Sequence, residues 1–283
     1  MLDILNNGKN SLSAFVEASR INTTNLGNVD TLGYKSIKYS FQSAFNRALS
    51  NGLAPQNGRG GVNPTQLGGG VKVSGCSLDF TQGDLISGSK LDVAINGNGL
   101  FIVSGDGGKT FLYTRAGNFH FNSSGYLADI ASRMVYGYKC FEDGSIDKTK
   151  LEPIYCTDFS NVGWKYKGQD GVLVDNYANS QNGKTISPLF KIALVDFPNK
   201  GALTQCDSNT FKASLNSGAP WSPATAGENS LGFVLSGSLE KSNATIIGET
   251  IDLQDIQRSM TASLTAIKMA SQQIQSVLQI VGN

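Results

Sequence analysis

The chain has 283 residues, of which 40% are hydrophobic and only 16% charged, and its formal net charge is +1. This length is sufficient for one large domain or two small ones with a buried core. Near-neutral charge without a long run of one sign argues against nucleic acid or a membrane surface as the main partner. A surface poor in charge favours association with proteins, because little desolvation of charged groups opposes it.

The first 26 residues predict an amphipathic helix. Apolar side chains at Leu5, Leu12, Phe15 and Leu26 form an imperfect stripe at helical spacing, and Gly27 is a suitable C-terminal stop. The opening residues contain neither a basic region nor an apolar stretch. We therefore expect no cleaved signal peptide, and no segment of the chain is apolar enough to predict membrane insertion.

The middle of the chain predicts an extended connector followed by β-structure. Residues 51–70 are rich in Gly, Asn, Pro and Gln, a composition typical of connectors. From position 71 to about 235, short apolar runs alternate with turn residues; the run 91–95, for example, precedes the turn 96–99. This spacing predicts antiparallel strands joined by tight turns.

The C-terminal segment has the most regular pattern in the chain. Apolar residues recur at every seventh position, and a weaker second set follows four residues later. The first set is Ile246, Leu253, Met260, Ile267, Ile274 and Val281, and the second is Leu264 and Leu278. Such a repeat requires a helical partner along its length. That partner is either the N-terminal helix of the same chain or helices of other copies, and apolar residues outside the repeat favour more than one.

These patterns together predict an α+β fold. Paired N- and C-terminal amphipathic helices, coiled-coil-like in pattern, flank a large and mainly antiparallel β-domain. We expect a terminal helical core domain at 1–27 and 240–283, an extended connector at 28–70 and an outer β-domain at 71–239.

No constellation of residues points to catalysis, so we expect no enzymatic activity, cofactor or metal. His120, the one histidine, lies between two phenylalanines and is predicted to be an exposed strand residue. The four cysteines are far apart and form no C-x-x-C pair, so all four are expected to be buried or half-buried thiols. A disulfide between two of them is the alternative if the protein lies outside the cytoplasm. They are Cys76, Cys140, Cys156 and Cys206.

Several segments of the chain contain motifs of a recognisable kind. The sequence NLGNVDTLGYK at 25–35 resembles NLANVNTxGYK of the bacterial flagellar rod and hook protein family. The segments 91–101 and 113–127 resemble its LDVAIxGxGFF and YTRAGxFxxDxxGxL blocks, and GSLEKSN at 237–243 resembles its GxLExSNV. The matching residues are Asn25, Asn28, Gly33, Tyr34, Lys35, Gly97, Gly99, Tyr113, Thr114, Arg115, Gly117, Leu239, Glu240, Ser242, Asn243, Gln257 and Arg258. The opening 1–9 and the segments 121–123 and 259–261 depart from the family pattern.

The resemblance implies a structural subunit that polymerises into a hollow helical shaft of the flagellum. Segments 60–68, 70–73 and 79–83 are similar to the connector of short hook proteins, which favours the hook, the torque-transmitting joint between rod and filament. A distal or proximal rod subunit of the basal body is the alternative, and a non-flagellar cell-surface binding protein ranks lower.

The same resemblance implies the partners and the location. The partners are copies of the chain, other axial proteins (rod, hook cap or hook-filament junction) and the flagellar type III export apparatus, through which the chain leaves the cytoplasm for the hook or basal body. The terminal helices would line the central channel. We predict that assembly buries Leu5, Leu12, Phe15, Leu26, Ile246, Leu253, Met260, Leu264, Ile267, Ile274, Leu278 and Val281.

Overall fold

The computed structural model describes residues 2–44, 47–55, 60–141, 145–156, 162–165, 169–175, 187–207 and 209–281. Helix α1 spans Leu2–Gly27 and helix α2 spans Ile246–Val281. A short 3₁₀ turn spans Lys200–Ala202. Both helices lie where the apolar patterns predicted them, and α1 ends at the predicted glycine.

Between the helices, the described residues form twenty strands, so the α+β class is confirmed. In chain order they are β1 Ile37–Ser43, β2 Arg47–Ser50, β3 Thr65–Leu67, β4 Val71–Leu78, β5 Leu85–Ser87, β6 Val93–Asn96, β7 Leu100–Ser104, β8 Leu112–Thr114, β9 His120–Phe121, β10 Leu127–Ala128, β11 Met134–Lys139, β12 Glu152–Pro153, β13 Gly163–Trp164, β14 Val172–Asp175, β15 Ser187–Ile192, β16 Leu194–Val195, β17 Thr204–Cys206, β18 Thr210–Lys212, β19 Phe233–Ser236 and β20 Ser238–Glu240.

The chain divides into two compact units, each of which is described by itself. The helical unit contains Met1–Gly27, Ile37–Ser77 and Thr245–Asn283, and the β unit contains Asn28–Ser36 and Leu78–Ala244. These boundaries differ from the predicted connector at 28–70, because its first part belongs to the β unit and the rest to the helical unit. The boundary before α2 lies at Thr245 instead of the predicted residue 240.

The segment predicted as an extended connector contains strands that pack on α1. β1 pairs with β4, and β2 pairs with β3. The Phe15 ring meets the Phe41 ring edge-on, with centroids 5.6 Å apart. Asn7 Nδ2 donates to the carbonyl of Gly68 (2.8 Å). A connector rich in Gly and Asn therefore finds its hydrogen-bond partners on the helix.

The two helices of the helical unit pack against each other as an antiparallel pair. Asn25 near the end of α1 contacts Glu249 near the start of α2. Near the other end, a Cβ added at Gly8 would lie 2.5 Å from Ile267 Cγ1. The buried face of α1 carries small side chains, including Ala14 and Ala18, which let the helices approach closely. The prediction that the two chain ends lie side by side is therefore confirmed.

The buried face of α2 differs in part from the predicted seam. Leu253, Met260, Ile267 and Ile274 of the seven-residue set are half-buried, whereas Ile246 is exposed. The second buried set follows after three residues and not after four. It contains Ile256 and Ala270, while Leu264 (40%) and Leu278 (65%) are exposed. Small Ala270 suits the close approach of α1, and the larger leucines are left outside. The side chain of Val281 lies outside the described residues.

The core of the β unit is an antiparallel sheet of twelve strands among the described residues. Eight follow the order β13-β14-β15-β11-β7-β8-β18-β17, and β9, β10, β12 and β16 pair beside this path. Along the central, fully buried β7, Phe101 and Val103 enter one apolar cluster, while Leu100 and Ile102 enter the other. Alternating side chains thus cover both faces of the sheet.

The smaller sequence predictions have mixed outcomes. His120 is an exposed strand residue, as predicted. Cys140 is buried and Cys156 and Cys206 are half-buried, but Cys76 is exposed on β4, where the expectation was wrong. Neither helix, as far as it is described, contains a stretch that is long and apolar enough to cross a membrane.

We predict that Gly117→Ala destabilises the β unit by about 3 kcal/mol, since an added Cβ would overlap the backbone carbonyl oxygen of Val93, which cannot easily move. Gly105→Ala is the matched control, because its Cβ would meet only Arg133 Cγ at 3.4 Å. Urea unfolding of both variants measures the difference. Equal stability of the two variants would contradict the steric argument.

Candidate functional site

Three of the sequence motifs converge on one buried carboxylate in the β unit. Glu240 Oε1 accepts from Lys35 Nζ (2.6 Å) and from the backbone N–H of Gly83 (3.0 Å), and Oε2 accepts from Arg115 Nη1 (3.1 Å). All three side chains are buried almost completely. We call Lys35, Arg115 and Glu240 the ion triad. It joins parts of the chain that are more than a hundred residues apart.

Backbone carbonyls satisfy most of the remaining donors of the ion triad. Lys35 Nζ donates to the carbonyl of Thr81 (2.8 Å), and Arg115 donates to those of Ile95 (3.2 Å) and Gly97 (2.6 Å). Burial lowers the pKa of both the Lys35 ammonium and the Arg115 guanidinium, and the Glu240 carboxylate opposes this effect. The ion triad is closed to solvent. Its geometry therefore suits a role in holding the fold together and not a reaction with a ligand.

Glycine and asparagine of the same motifs fix the backbone around the triad. Gly33 has a φ of +65°, and a Cβ there would lie 2.5 Å from the backbone nitrogen of Ala116. Asn243 Oδ1 accepts from the N–H of Ser36 (2.8 Å), and its Nδ2 donates to the carbonyl of Asp79 (2.7 Å). Residues 33–36 are therefore held on two sides within the β unit.

The turn at residues 96–99 and the end of β8 complete the motif cluster. Gly97 and Gly99 adopt φ values of +109° and +124°, which side-chain-bearing residues rarely adopt. Tyr113 packs edge-on against Phe197 with ring centroids 4.8 Å apart. Thr114 Oγ1 donates to the carbonyl of Asn209 (3.0 Å). These residues position Arg115 at the triad.

A second buried polar cluster lies in the helical unit, at the end of α1. Asn25 Oδ1 accepts from the N–H of Ile37 (2.9 Å), and its Nδ2 donates to the carbonyl of the same residue (3.0 Å). The Nδ2 also lies 3.3 Å from both carboxylate oxygens of Glu249. Burial raises the pKa of Glu249, an effect that the bond from Asn25 offsets only in part. One asparagine thus ties the start of β1 to both helices.

The predicted site residues fall into three groups. Those near the ion triad are buried: Gly33, Tyr34, Lys35, Tyr113, Thr114, Arg115, Gly117, Leu239, Glu240 and Ser242, with Asn28 and Asn243 half-buried. Those on the helices are half-buried: Leu5, Leu12, Phe15, Leu26, Leu253, Met260, Ile267 and Ile274. A last group is exposed: Ile246, Gln257, Arg258, Leu264 and Leu278. The structure thus brings the motif residues together, and it leaves part of the predicted assembly surface open.

Sequence reasoning did not find the pairing within the ion triad or the role of Glu249. One feature of the sequence could have indicated the triad. The chain has few charges, yet three of its motifs each contain a charged residue beside glycine or apolar residues: Lys35, Arg115 and Glu240. No group of three His, Cys, Asp or Glu residues that could hold a metal ion occurs in the described part of the chain.

Comparison with known proteins finds similarity to flagellar rod and hook proteins. A profile of the family "Flagellar hook protein FlgE/F/G D1 domain" matches residues 94–148. The flagellar basal-body rod protein FlgG of Bacillus subtilis is 29% identical over 99% of both chains, and that of Agrobacterium fabrum is 29% identical over 88% of this chain and 87% of its own. The flagellar hook protein FlgE of Borreliella burgdorferi is 38% identical over a segment that makes up 39% of this chain and 25% of that relative.

The matched profile and these relatives support a flagellar rod and hook axial protein family for this chain. The matched profile includes Gly97, Gly99 and Arg115, but Lys35 and Glu240 lie outside it. Within this chain the ion triad therefore joins the profiled region to the two motifs that flank the terminal helices.

We predict that Glu240→Ala lowers the free energy of unfolding of the β unit by about 3–5 kcal/mol, because it leaves two buried cations without their anion. Lys148→Ala is the control. Its pair with Glu228 has side chains that are 51% and 42% exposed, so it should cost less than about 1 kcal/mol. Chemical denaturation of both variants provides the test, and a small effect of Glu240→Ala would show that the triad is dispensable.

A second prediction concerns pH. Since the pKa of Glu249 is raised in the folded state, folding favours its protonated form, and its charged form costs stability above the folded pKa. Glu249→Gln should therefore raise the melting temperature of the helical signal at pH 7, and the gain should shrink as the pH falls towards the ordinary carboxyl range. Circular dichroism of both proteins across pH measures this. A gain in melting temperature that is constant with pH would show that ionisation of Glu249 is not its cause.

Proposed function

We propose that the chain is a structural subunit of the bacterial flagellum that self-assembles into a hollow helical shaft. The observation that carries this proposal is the surface of α2, which exposes apolar side chains that the chain itself does not cover. They are Ile246, Ile247, Ile251, Leu264, Met269, Val277, Leu278 and Ile280. Burying such side chains against neighbours stabilises a polymer by about 25 cal/mol per Å² removed from water.

The antiparallel pair of α1 and α2 forms the core of this shaft, packed in coiled-coil fashion with the pairs of other copies and lining the channel. The residues that join α1 to α2 repeat every three to four positions, which supports such packing. The exposed residues lie outside that face. Contacts between unlike surfaces of successive copies generate an open helix when the rotation between copies does not close a ring.

We infer a rod subunit as the first candidate within this class. The FlgG rod protein of Bacillus subtilis aligns over 99% of both chains, which supports a subunit of rod size. The hook remains a second candidate, because the matching segment of a hook protein has the higher identity, 38%, and because the segments near 60–83 resemble a hook connector. Deletion of the gene separates the two: a basal body without a rod supports the first, and a complete rod without a hook supports the second.

The partners follow from the same proposal. Copies of the chain form the shaft, other axial proteins adjoin its two ends, and the flagellar type III apparatus exports the subunit from the cytoplasm. The low charge of the chain supports close packing of copies, since few charged groups need to lose their water. Electron microscopy of the purified chain at high concentration tests the central claim: tubes support it, and persistent monomers oppose it.

We predict that Ile267→Asp prevents shaft formation while the β unit stays folded. Ile267 faces Gly8 of α1, so a carboxylate there would place a charge inside the helix pair. Gln272→Asp introduces the same charge at an exposed position of α2 and is the control, expected to assemble. Electron microscopy counts the shafts, and near-UV circular dichroism reports the β unit. Shafts of normal length from Ile267→Asp would oppose the proposed role of the helix pair.

A further inference from the structure

The β unit contains an open cleft of about 440 Å³ next to the motif cluster. Residues of the 28–34 segment form one wall, and Asn118, Ile130, Cys206 and Asn209 contribute to the others. This volume lies within the range of pockets that hold a folded peptide turn or a medium-sized ligand. The cleft is thus large enough for a side chain together with part of its backbone.

The chemistry of the cleft is neutral, with one apolar side. Its side chains are mainly amides and hydroxyls, and its carboxylate, Asp129, is bonded to Arg133 (2.8 Å). Ile130 is 72% exposed, which is unusual for a large apolar side chain beside a cleft. The Oδ1 of Asn209 is buried and has no hydrogen-bond partner among the described residues. The cleft therefore fits an uncharged segment with an apolar tip.

The same unit presents a segment of that kind. No charged residue occurs from 213 to 227. Within this stretch Leu215 is completely exposed, at 103% of its reference area, and Trp221 is 50% exposed. Leaving two large apolar side chains in water is unfavourable, and tryptophan is enriched at the centres of protein interfaces. We call residues 213–221 the apolar loop.

Two serines hold the tip of the apolar loop in one conformation. Ser217 is fully buried, and its Oγ donates to the carbonyl of Ser214 (2.8 Å). Ser214 Oγ donates to the carbonyl of Ala202 (2.6 Å), and the N–H of Asn199 donates to the carbonyl of Ser217 (3.2 Å). Leu215 is therefore displayed on a pre-organised turn, which lowers the entropy lost on binding.

We propose that the apolar loop of one copy of this chain inserts Leu215 into the cleft of the next copy. Within one chain the loop is exposed while the cleft is open, so the two do not satisfy each other. The loop is uncharged, and the carboxylate Asp129 in the cleft lining is paired with Arg133, so their contact leaves no charge buried without a partner.

This contact rests on the proposed function and makes it more specific. A loop that meets a cleft is a contact between two different surfaces, so a copy whose loop is bound still offers its cleft to another copy. Successive contacts of this type extend into an open helix when the rotation between copies does not close a ring. The β unit thereby contributes a second connection between copies, in addition to the exposed face of α2.

Cys206 lies in the cleft and allows a direct test by cross-linking. Leu215→Cys is made in the full chain with the exposed Cys76 changed to serine, and the protein is brought to shaft-forming concentration. An added copper–phenanthroline oxidant then removes two electrons from each pair of adjacent thiols, whose protons pass to solvent as the disulfide forms. We expect a ladder of dimers, trimers and longer multimers on non-reducing gels, and its disappearance when Cys206→Ser is added. Ser123→Cys, exposed on another turn of the same unit, should give no ladder.

The outcomes separate the contact from the shaft itself. Shafts without a ladder would overturn the loop-in-cleft contact and leave the proposed function standing. A single dimer band that survives Cys206→Ser would indicate loop-to-loop contact and would also overturn it. If the chain with native cysteines forms no shafts at all, the proposed function fails and the contact fails with it.

Discussion

The structure of the β unit depends on one buried carboxylate that two cations share. Glu240 takes Lys35 and Arg115 from distant parts of the chain, and all three are closed to water. Removing charges from water is costly, and their mutual attraction repays that cost only when the geometry is good and the other donors are satisfied. Here the carbonyls of Thr81, Ile95 and Gly97 take most of those donors, and Arg115 Nε is left without a hydrogen-bond partner among the described residues. Because any other arrangement leaves a buried charge unpaired, the triad's main effect is to exclude alternative arrangements of the three motifs.

This constraint explains why the motifs contain glycine and asparagine as well as charge. The triad can close only if residues 33–36 lie against residue 116, and a side chain at Gly33 would prevent that approach. Asn243 then binds both Ser36 and Asp79. The Asn243 side chain thereby satisfies backbone groups that strand pairing leaves without a partner. The motifs are thus one cooperative structure that is divided over the chain, which is why they resemble those of the family as a set.

Sequence periodicity predicted the local structure well and the long-range pairing poorly. Both helices and the main strands followed from spacing, since apolar periodicity is a local property. The second buried position on α2 did not, because the pattern favoured the larger Leu264 over Ala270, and only the close approach of α1 makes the smaller residue the better fit. The composition of 51–70 predicted a connector, but its hydrogen bonds to α1 depend on residues far away in sequence. Nor could sequence place Lys35 beside Glu240, for the same reason.

The two helices differ in length, and this difference bears directly on assembly. α1 has 26 residues and α2 has 36. The contacts from Asn25 to Glu249 and from Gly8 to Ile267 set their register, so the start of α1 is level with about residue 273 of α2. The last turns of α2, about 12 Å of helix, therefore have no partner on α1. They carry Val277, Leu278 and Ile280, all exposed. Sliding the pair by about eight residues to cover this end would replace the small α1 residues that now face Ile256 and Ala270. In the described structure the apolar end of α2 is therefore open to another chain, and the unequal helix lengths favour contacts between copies.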